Sequence, residues 1–397
     1  MNIAVLSSGM LPIPAVRGGA VENLIDSYLE YNDINQQHDI TIYSIKEEKM
    51  NLYFQTTSNK NHYHYIDVDS FIAKVRKKLF HICHYKQEQY HYSIEYFLHE
   101  AIKHMRHQNY EVVIIENRPN FALKLEKKIN AKIIYHLHND ILNKDVKDYA
   151  KIYNLATGII TVSNYISNRI KEIAINDFKC RTVYNGISFH SFNNVKREIK
   201  REDIGLGIND FVIVFCGRII PEKGIESLID AMKILKMHTH IKLLVIGNVE
   251  YGNDNPKTHF MHRISTKAEA NGNVYFTGYV DYSKIAQYLH LANIAVLPSL
   301  WEEPFGLTCI ESLAAGLPLI TTRKGGIPEI VNRECAILVN VNDHLPQTLA
   351  QNILYLYNRP ERRVAMSKAA VEQARLFDKK QYSINFFNAI EDLVKNN

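Results

Sequence analysis

The sequence predicts an α/β protein built from two Rossmann-like domains facing a cleft. Three observations carry this. The chain has 397 residues, more than one hydrophobic core usually organises. Short apolar runs alternate with segments of helical amphipathic spacing, the pattern of a mostly parallel sheet covered by helices on both faces. The alternation breaks at a polar, charged stretch near 187–205 and then restarts, as it does where one domain is linked to another. The expected domains are 1–190 and 191–379. A C-terminal helix at about 380–397 is a candidate to pack back on the first.

In the first half, Asn2–Ser7 is a predicted strand. A loop through Pro12, Pro14 and Arg17 then reaches Gly18-Gly19. A helix follows, with Val21, Leu24, Ile25, Tyr28 and Leu29 on one side. Strands are expected at Asp39–Ser44, Glu111–Glu116, Lys132–His138 and Gly158–Ser163, with helical stretches at Ala122–Lys128 and Tyr165–Ile173. In the second half strands are expected at Phe211–Gly217, Ile241–Gly247, Val274–Phe276, Ile294–Leu297 and Pro318–Thr322. Helices are expected at Gly224–Met237, Tyr282–Leu291, Glu361–Phe377 and Tyr382–Lys395.

Composition excludes several classes. The apolar share of 46% and charged share of 22% are those of a globular chain. No apolar run approaches the ~20 residues needed to span a bilayer. Five scattered cysteines without C-x-x-C spacing read as reduced thiols and point to the cytoplasm. A net charge of +5 is mild, and no RNA-binding motif accompanies it. Clusters such as His62-Tyr-His-Tyr65 and Tyr90-His-Tyr92 are read as composition bias, so no nucleic-acid partner is expected. Asp67-Val-Asp69 has the form of a metal-binding D-x-D pair, but nothing around it supports that use. Phe71–Lys86 holds five Lys/Arg, no acid and apolar residues at helical spacing. It reads either as an amphipathic helix at an anionic membrane surface or as a surface helix packing its apolar stripe on the domain.

Two stretches carry chemistry. In Pro298-Ser-Leu-Trp-Glu-Glu-Pro-Phe-Gly-Leu-Thr-Cys-Ile-Glu311, an apolar strand stops at Pro298 and a helix opens at Pro304-Phe305-Gly306. Glu303 sits before that helix and Glu311 inside it, about 12 Å of rise further on. The helix start offers unpaired N–H groups and the positive end of a dipole to an anion. In Phe215-Cys-Gly-Arg-Ile-Ile-Pro-Glu-Lys-Gly224, Arg218 and Lys223 follow a strand end and precede a helix. Such cations suit a diphosphate, or stand solvated on a surface loop. Gly18-Gly19 allows close backbone approach to a phosphate, or simply a turn. His136 and His138 share one face of a strand end. They fit a core pair, and a zinc site would need further ligands that the sequence does not reveal.

The spacing from Glu303 to Glu311, with Pro-Phe-Gly after the first, resembles the E-x7-E motif of family 4 retaining glycosyltransferases, which have the GT-B fold. The N-terminal loop Leu11–Ala20 is similar to that of bacterial members building capsules, exopolysaccharides and spore-coat glycans. The resemblance implies a retaining, metal-independent transferase without cofactor, moving a sugar from a nucleotide-diphosphate sugar, UDP-linked by family frequency, to a glycan or lipid-linked acceptor; the thiols place it in the cytoplasm, and the membrane reading of Phe71–Lys86 would make it peripheral to the inner face of the cell membrane. It places the ribose on Glu311 and the sugar hydroxyls on Glu303 with the N–H groups of Phe305 and Gly306. The diphosphate falls to Leu307, Thr308, Arg218 and Lys223. Gly18, Gly19 and Gly247 would lie against the donor. His138, with His136 as runner-up, would meet the transferred sugar or the acceptor hydroxyl. Asp140 would orient that histidine or the acceptor, and Asn185 would lie near the cleft. Glu303, His138, Arg218 and Lys223 are the catalytic candidates. Ser188 stands where the family commonly has Asp. A nucleotide-sugar epimerase of the same fold and an inactive glycan-binding relative are the alternatives.

Overall fold

A computed structural model of the protein describes residues 1–50, 60–83, 92–174, 179–196, 198–248 and 259–396. The chain divides into two compact units, Met1–Tyr184 with Lys380–Asn397, and Asn185–Lys379.

The first unit is a parallel sheet of seven strands. In chain order they are β1 (Asn2–Leu6), β2 (Asp39–Ile45), β3 (His62–Ile66), β4 (Val112–Glu116), β5 (Lys132–Leu137), β6 (Gly158–Thr161) and β7 (Cys180–Thr182). Their spatial order is β3-β2-β1-β4-β5-β6-β7. The order reverses between β1 and β4, so the connections leaving these two strands diverge and open a crevice at their carboxyl ends. The central strands read as continuous apolar runs because helices cover both faces. Ile3, Val5, Val113 and Ile114 are fully buried. Helix Ala20–Asn35 buries Leu24, Ile25, Tyr28 and Leu29. Helix Lys379–Lys395 adds Phe386, Phe387, Ile390 and Leu393 to the same core, with Phe386 stacked on Tyr28 at 4.4 Å between ring centroids. Each such side chain contributes about 1.5–3 kcal/mol on burial.

The second unit is a parallel sheet of six strands, β8 (Phe211–Cys216), β9 (Ile241–Ile246), β10 (Val274–Phe276), β11 (Ile294–Leu297), β12 (Leu319–Thr322) and β13 (Ala336–Val339). They are ordered β10-β9-β8-β11-β12-β13. Here the reversal lies between β8 and β11. The two stretches singled out for chemistry are the loops that leave these two strands.

Several elements depart from expectation. The edge strand β3 is made of His62-Tyr-His-Tyr-Ile66, the residues read above as composition bias. His64 stacks on His104 at 3.9 Å. Tyr90 and His91 of the companion cluster lie outside the described residues. Helices Tyr92–Met105, His259–Asn271 and Leu345–Tyr357 and strands β7 and β13 were also not anticipated. The linker contains a short helix, Phe189–Asn193, held by buried Phe189 and Phe192. The polar composition around those two rings hides it. Asp67 makes an Asx turn, its Oδ1 accepting from the Asp69 N–H at 3.0 Å, and leads into helix Phe71–Cys83. Residues 84–86 of the predicted amphipathic segment lie outside the described residues.

Candidate functional site

In the second unit the polar groups gather at the carboxyl ends of β8 and β11. The β8 loop ends at Gly224, whose φ is 70° and whose added Cβ would fall 1.9 Å from the Pro298 carbonyl oxygen. Only glycine permits that approach. It brings Lys223 beside the β11 loop, where its Nζ lies 2.5 Å from Glu303 Oε1. Ser299 Oγ donates to the same oxygen at 2.9 Å, and the Trp301 ring lies 5.7 Å from Lys223 Nζ. Glu303 is buried, whereas neighbouring Glu302 is exposed and pairs with Lys324 at 2.7 Å. On the far side, Gly325 (φ 53°) passes so close that an added Cβ would lie 2.1 Å from the Glu303 carbonyl oxygen, which accepts the Gly326 N–H at 2.7 Å. Lys223, Ser299, Glu303, Gly306 and Thr308 line a shallow recess.

The helix after Glu303 begins at Leu307, not at Pro304. Pro304 and Phe305 form a bend, and Gly306 (φ 103°) precedes the first helical residue. Glu303 therefore lies on a turn, and the predicted 12 Å of continuous helix between the two carboxylates does not exist. Glu311 is one turn into the helix, about 6 Å of rise from its start. Its carboxyl is buried and accepts from Tyr282 Oη at 2.9 Å. Burial raises its pKa to about 7 while the Tyr282 hydrogen bond lowers it. Tyr282 escaped the sequence reading because nothing in linear spacing links it to Glu311.

Of the other expected donor residues, Phe305 is buried, Leu307 and Thr308 open the helix, and Arg218 is exposed on the β8 loop. Gly247 ends β9 with φ 134°, its N–H bonded to the Gly278 carbonyl at 3.1 Å. Asn185 is buried, and its Oδ1 has no hydrogen-bond partner among the described residues. Ser188 Oγ bonds Ser191 Oγ at 2.8 Å and makes no side-chain cap to the backbone of the helix it precedes.

In the first unit Gly18 and Gly19 follow β1 with φ of 73° and 119°, directly before helix Ala20–Asn35. Across the crevice, at the adjacent ends of β4 and β5, His136 and His138 both point to Glu116, the last residue of β4. His136 Nδ1 lies 3.0 Å and His138 Nε2 2.9 Å from Glu116 Oε2. Tyr28 Oη donates to Oε1 at 2.8 Å. Glu116 is the residue the sequence reading missed when it found no third group near the histidines. The available signal was a lone carboxylate closing an apolar strand next to theirs, with Glu116 in register with His136. Burial raises the Glu116 pKa, but His136 and the hydrogen bonds from both histidines more than offset this and bring it to about 2. Burial, helped by His136, lowers His138 to about 4. The three ligand atoms lie within 4.8 Å of one another, a set that could hold a metal ion. The separations onto Glu116 are hydrogen-bond lengths, however, so the carboxylate is satisfied within the cluster, while His136 Nε2 and His138 Nδ1 are buried without a partner among the described residues. Asp140 does not orient His138. Its carboxylate is taken by Arg169 Nε at 2.9 Å and Asn143 Nδ2 at 3.0 Å.

Residues 196–373 match the family model described as glycosyl transferases group 1. The chain is 26% identical over 384 residues, 93% of its length and 86% of the relative's, to the putative glycosyltransferase YtcC of Bacillus subtilis (strain 168). It is 25% identical over 387 residues, 94% of each chain, to spore coat protein SA of the same organism. Among solved structures, Anabaena Alr3699/HepE in complex with UDP and glucose superposes with a TM-score of 0.73 at 18% identity, covering 98% of this chain and 99% of that one. The last likeness is one of fold, and the fold is GT-B.

Proposed function

We propose that the chain, whose residues 196–373 match the group 1 glycosyl transferase model, transfers a sugar, with retention, from a UDP-sugar to a glycan or lipid-linked glycan acceptor in surface polysaccharide synthesis. The observation that carries this is the Lys223–Glu303–Ser299 cluster at the switch point of the second unit, beside the helix starting at Leu307. A diphosphate carries more negative charge than one carboxylate, so it competes for Lys223 and frees Glu303 for sugar hydroxyls. Arg218 and the N–H groups of Leu307 and Thr308 add donors for the diphosphate, and charge developing on the leaving UDP is stabilised by the same groups. Phe305 and Gly306 offer N–H groups to the sugar, and Glu311 takes the ribose. Gly18, Gly19 and Gly247 allow the protein backbone to approach the donor closely. Retention follows same-face attack, with a donor phosphate oxygen receiving the acceptor's proton. His138, Asp140 and Asn185 serve the acceptor side. No metal or other cofactor enters this scheme.

For the place of action, we propose the cytoplasmic face of the membrane. Among the described residues no helix is long and apolar enough to cross a membrane. Helix Phe71–Cys83 turns Phe71 (82% exposed), Ile72 (59%) and Leu79 (59%) outward, so these described side chains of its apolar stripe are not packed on the unit. Lys74, Lys77 and Lys78 stand exposed beside them. Apolar anchors among cations suit an anionic lipid surface.

The test is incubation of the protein with a panel of nucleotide sugars, with and without candidate acceptors. A glycosylated product, or UDP released by slow hydrolysis, is expected. A new nucleotide sugar formed from the donor alone would assign an epimerase, and binding without any turnover an inactive glycan-binding relative.

A further inference from the structure

The fully buried carboxylate of Glu116 takes no part in the donor scheme above, yet it accepts three hydrogen bonds at the switch point of the first unit. An unpaired buried carboxylate is too costly to keep, and this one is kept charged by three donors: Tyr28 Oη onto Oε1 at 2.8 Å, His136 Nδ1 onto Oε1 at 3.2 Å and His138 Nε2 onto Oε2 at 2.9 Å. Each donor fixes a proton. A neutral imidazole that donates through one nitrogen carries a lone pair on the other. His138 is therefore protonated at Nε2 and bears its lone pair at Nδ1. That Nδ1 atom is buried and has no partner among the described residues. The ring cannot rotate to satisfy it without losing Glu116. Its backbone is fixed as well, since the His138 N–H donates to Asn117 Oδ1 at 3.0 Å. His136 packs against it at 4.1 Å between ring centroids, and Phe386 closes the far side of His136 at 4.8 Å.

A buried acceptor left open at the carboxyl end of a central strand costs stability unless a ligand supplies the hydrogen. We propose that Glu116 is a positioning residue for His138: it locks the Nε2–H tautomer, so that Nδ1 is held as a hydrogen-bond acceptor for one sugar hydroxyl. This rests on the reading of His138 as a substrate-facing residue. The hydroxyl belongs to the transferred sugar or to the acceptor, and the chemistry recognised is the same. The low pKa values of both groups agree with a charged Glu116 and a neutral ring. The other groups facing the carboxylate are Tyr28, Tyr382 and Glu22.

The experiment is a long-range proton–nitrogen correlation of the full chain labelled with 15N-histidine, near neutral pH and without ligand. His138 is assigned by the loss of its signals in His138→Gln. Wild type is expected to show a protonated Nε2 and an unprotonated Nδ1. The opposite tautomer, an imidazolium, or a metal-bound pattern abolished by chelator would overturn the proposal. Glu116→Met removes the acceptor at similar volume. It should convert His138 to a mixture of tautomers and lower turnover of UDP-glucose on the order of 10- to 100-fold. A pure Nε2–H signal in that variant sinks the idea. If Glu116→Met does not fold, Glu116→Gln serves, because replacing a charged acceptor by a neutral one must move the Nε2 resonance, and an unmoved resonance counts equally against it. Loss of donor hydrolysis together with transfer assigns the hydroxyl to the donor sugar, and loss of transfer alone assigns it to the acceptor. Unchanged turnover in folded His138→Ala would instead overturn the site reading, leaving the tautomer result standing by itself.

Discussion

Lys223 and Glu303 pair at 2.5 Å, and the proposed donor complex gives each of them a different partner. Lys223→Ala removes the cation proposed for the leaving diphosphate. Turnover should fall on the order of 10²- to 10³-fold, and Glu303→Ala should do likewise, with melting curves still cooperative. Wild-type turnover in either folded variant would remove it from the site. Glu311 sets a pH test. Its pKa of about 7, raised by burial and lowered by Tyr282, makes its carboxylate available to ribose hydroxyls only as pH rises through that value. UDP titrated by calorimetry at pH 6 and pH 8 should bind more tightly at pH 8. Tyr282→Phe loses the hydrogen bond that favours the charged form, so the midpoint should move to higher pH. A flat profile in wild type would argue that Glu311 does not meet the nucleotide as an anion.

Two elements carry their own tests. The turn into helix Ile225–Ile234 depends on Gly224, where a Cβ would meet the Pro298 carbonyl at a φ of 70°. Gly224→Ala should destabilise the unit by more than about 1 kcal/mol, since both strain and collision oppose it. An unchanged denaturation midpoint would show that the loop relaxes freely. Helix Phe71–Cys83 offers the second test. Replacing Lys77 and Lys78 with Glu turns two positive charges into two negative ones, a net change of four, beside the exposed Phe71 and Leu79. Flotation with vesicles rich in anionic phospholipid should retain wild type and release the double variant. Equal partitioning of the two would leave the apolar stripe without this partner.

At the scale of the molecule, the buried ionisable groups pull stability in opposite directions with pH. His138 has a folded pKa near 4 against a usual 6.5, and Glu116 one near 2 against 4.5. In both cases the unfolded chain binds the proton more readily, so their contributions to the first unit are lost as pH falls, from 6.5 to 4 and from 4.5 to 2. Glu311 is raised to about 7. There the folded state holds the proton more tightly, so its contribution to the second unit is present below 4.5 and is lost as pH rises to 7. Glu22, also raised to about 7 by burial, works in that direction within the first unit. Hydrogen exchange, corrected for the intrinsic effect of pH, should show helix Leu307–Ala314 better protected at pH 5 than at pH 8. Glu311→Gln should remove most of that difference, and a variant with the wild-type dependence would exclude Glu311 as its source.

What was legible in the sequence was local or periodic. The apolar runs of β1, β4, β8 and β11 announce central parallel strands. The glycines at 217, 224, 247 and 306 mark strand and helix ends, and the loops holding Arg218, Lys223 and Glu303 stand out because charge there directly follows a buried strand. These signals act over a few residues, and physical chemistry decides them wherever the segment sits. Short edge strands such as β3 and β13 escape because they are half-buried and rely on a neighbour for their hydrogen bonds. The helix of Pro304 was drawn too long because a proline can open a helix or a bend. That choice fell to Gly325, seated against Glu303 from a strand further on. Glu116 beside His136 and His138, and Tyr282 on Glu311, were decided only by the tertiary structure. A buried charge must find its donors wherever the fold supplies them, and those donors came from strands and helices distant in the chain. The sequence by itself determined which ends of the sheets would carry chemistry; three-dimensional packing determined which carboxylates there are paired, which are raised, and which ring nitrogen is left open.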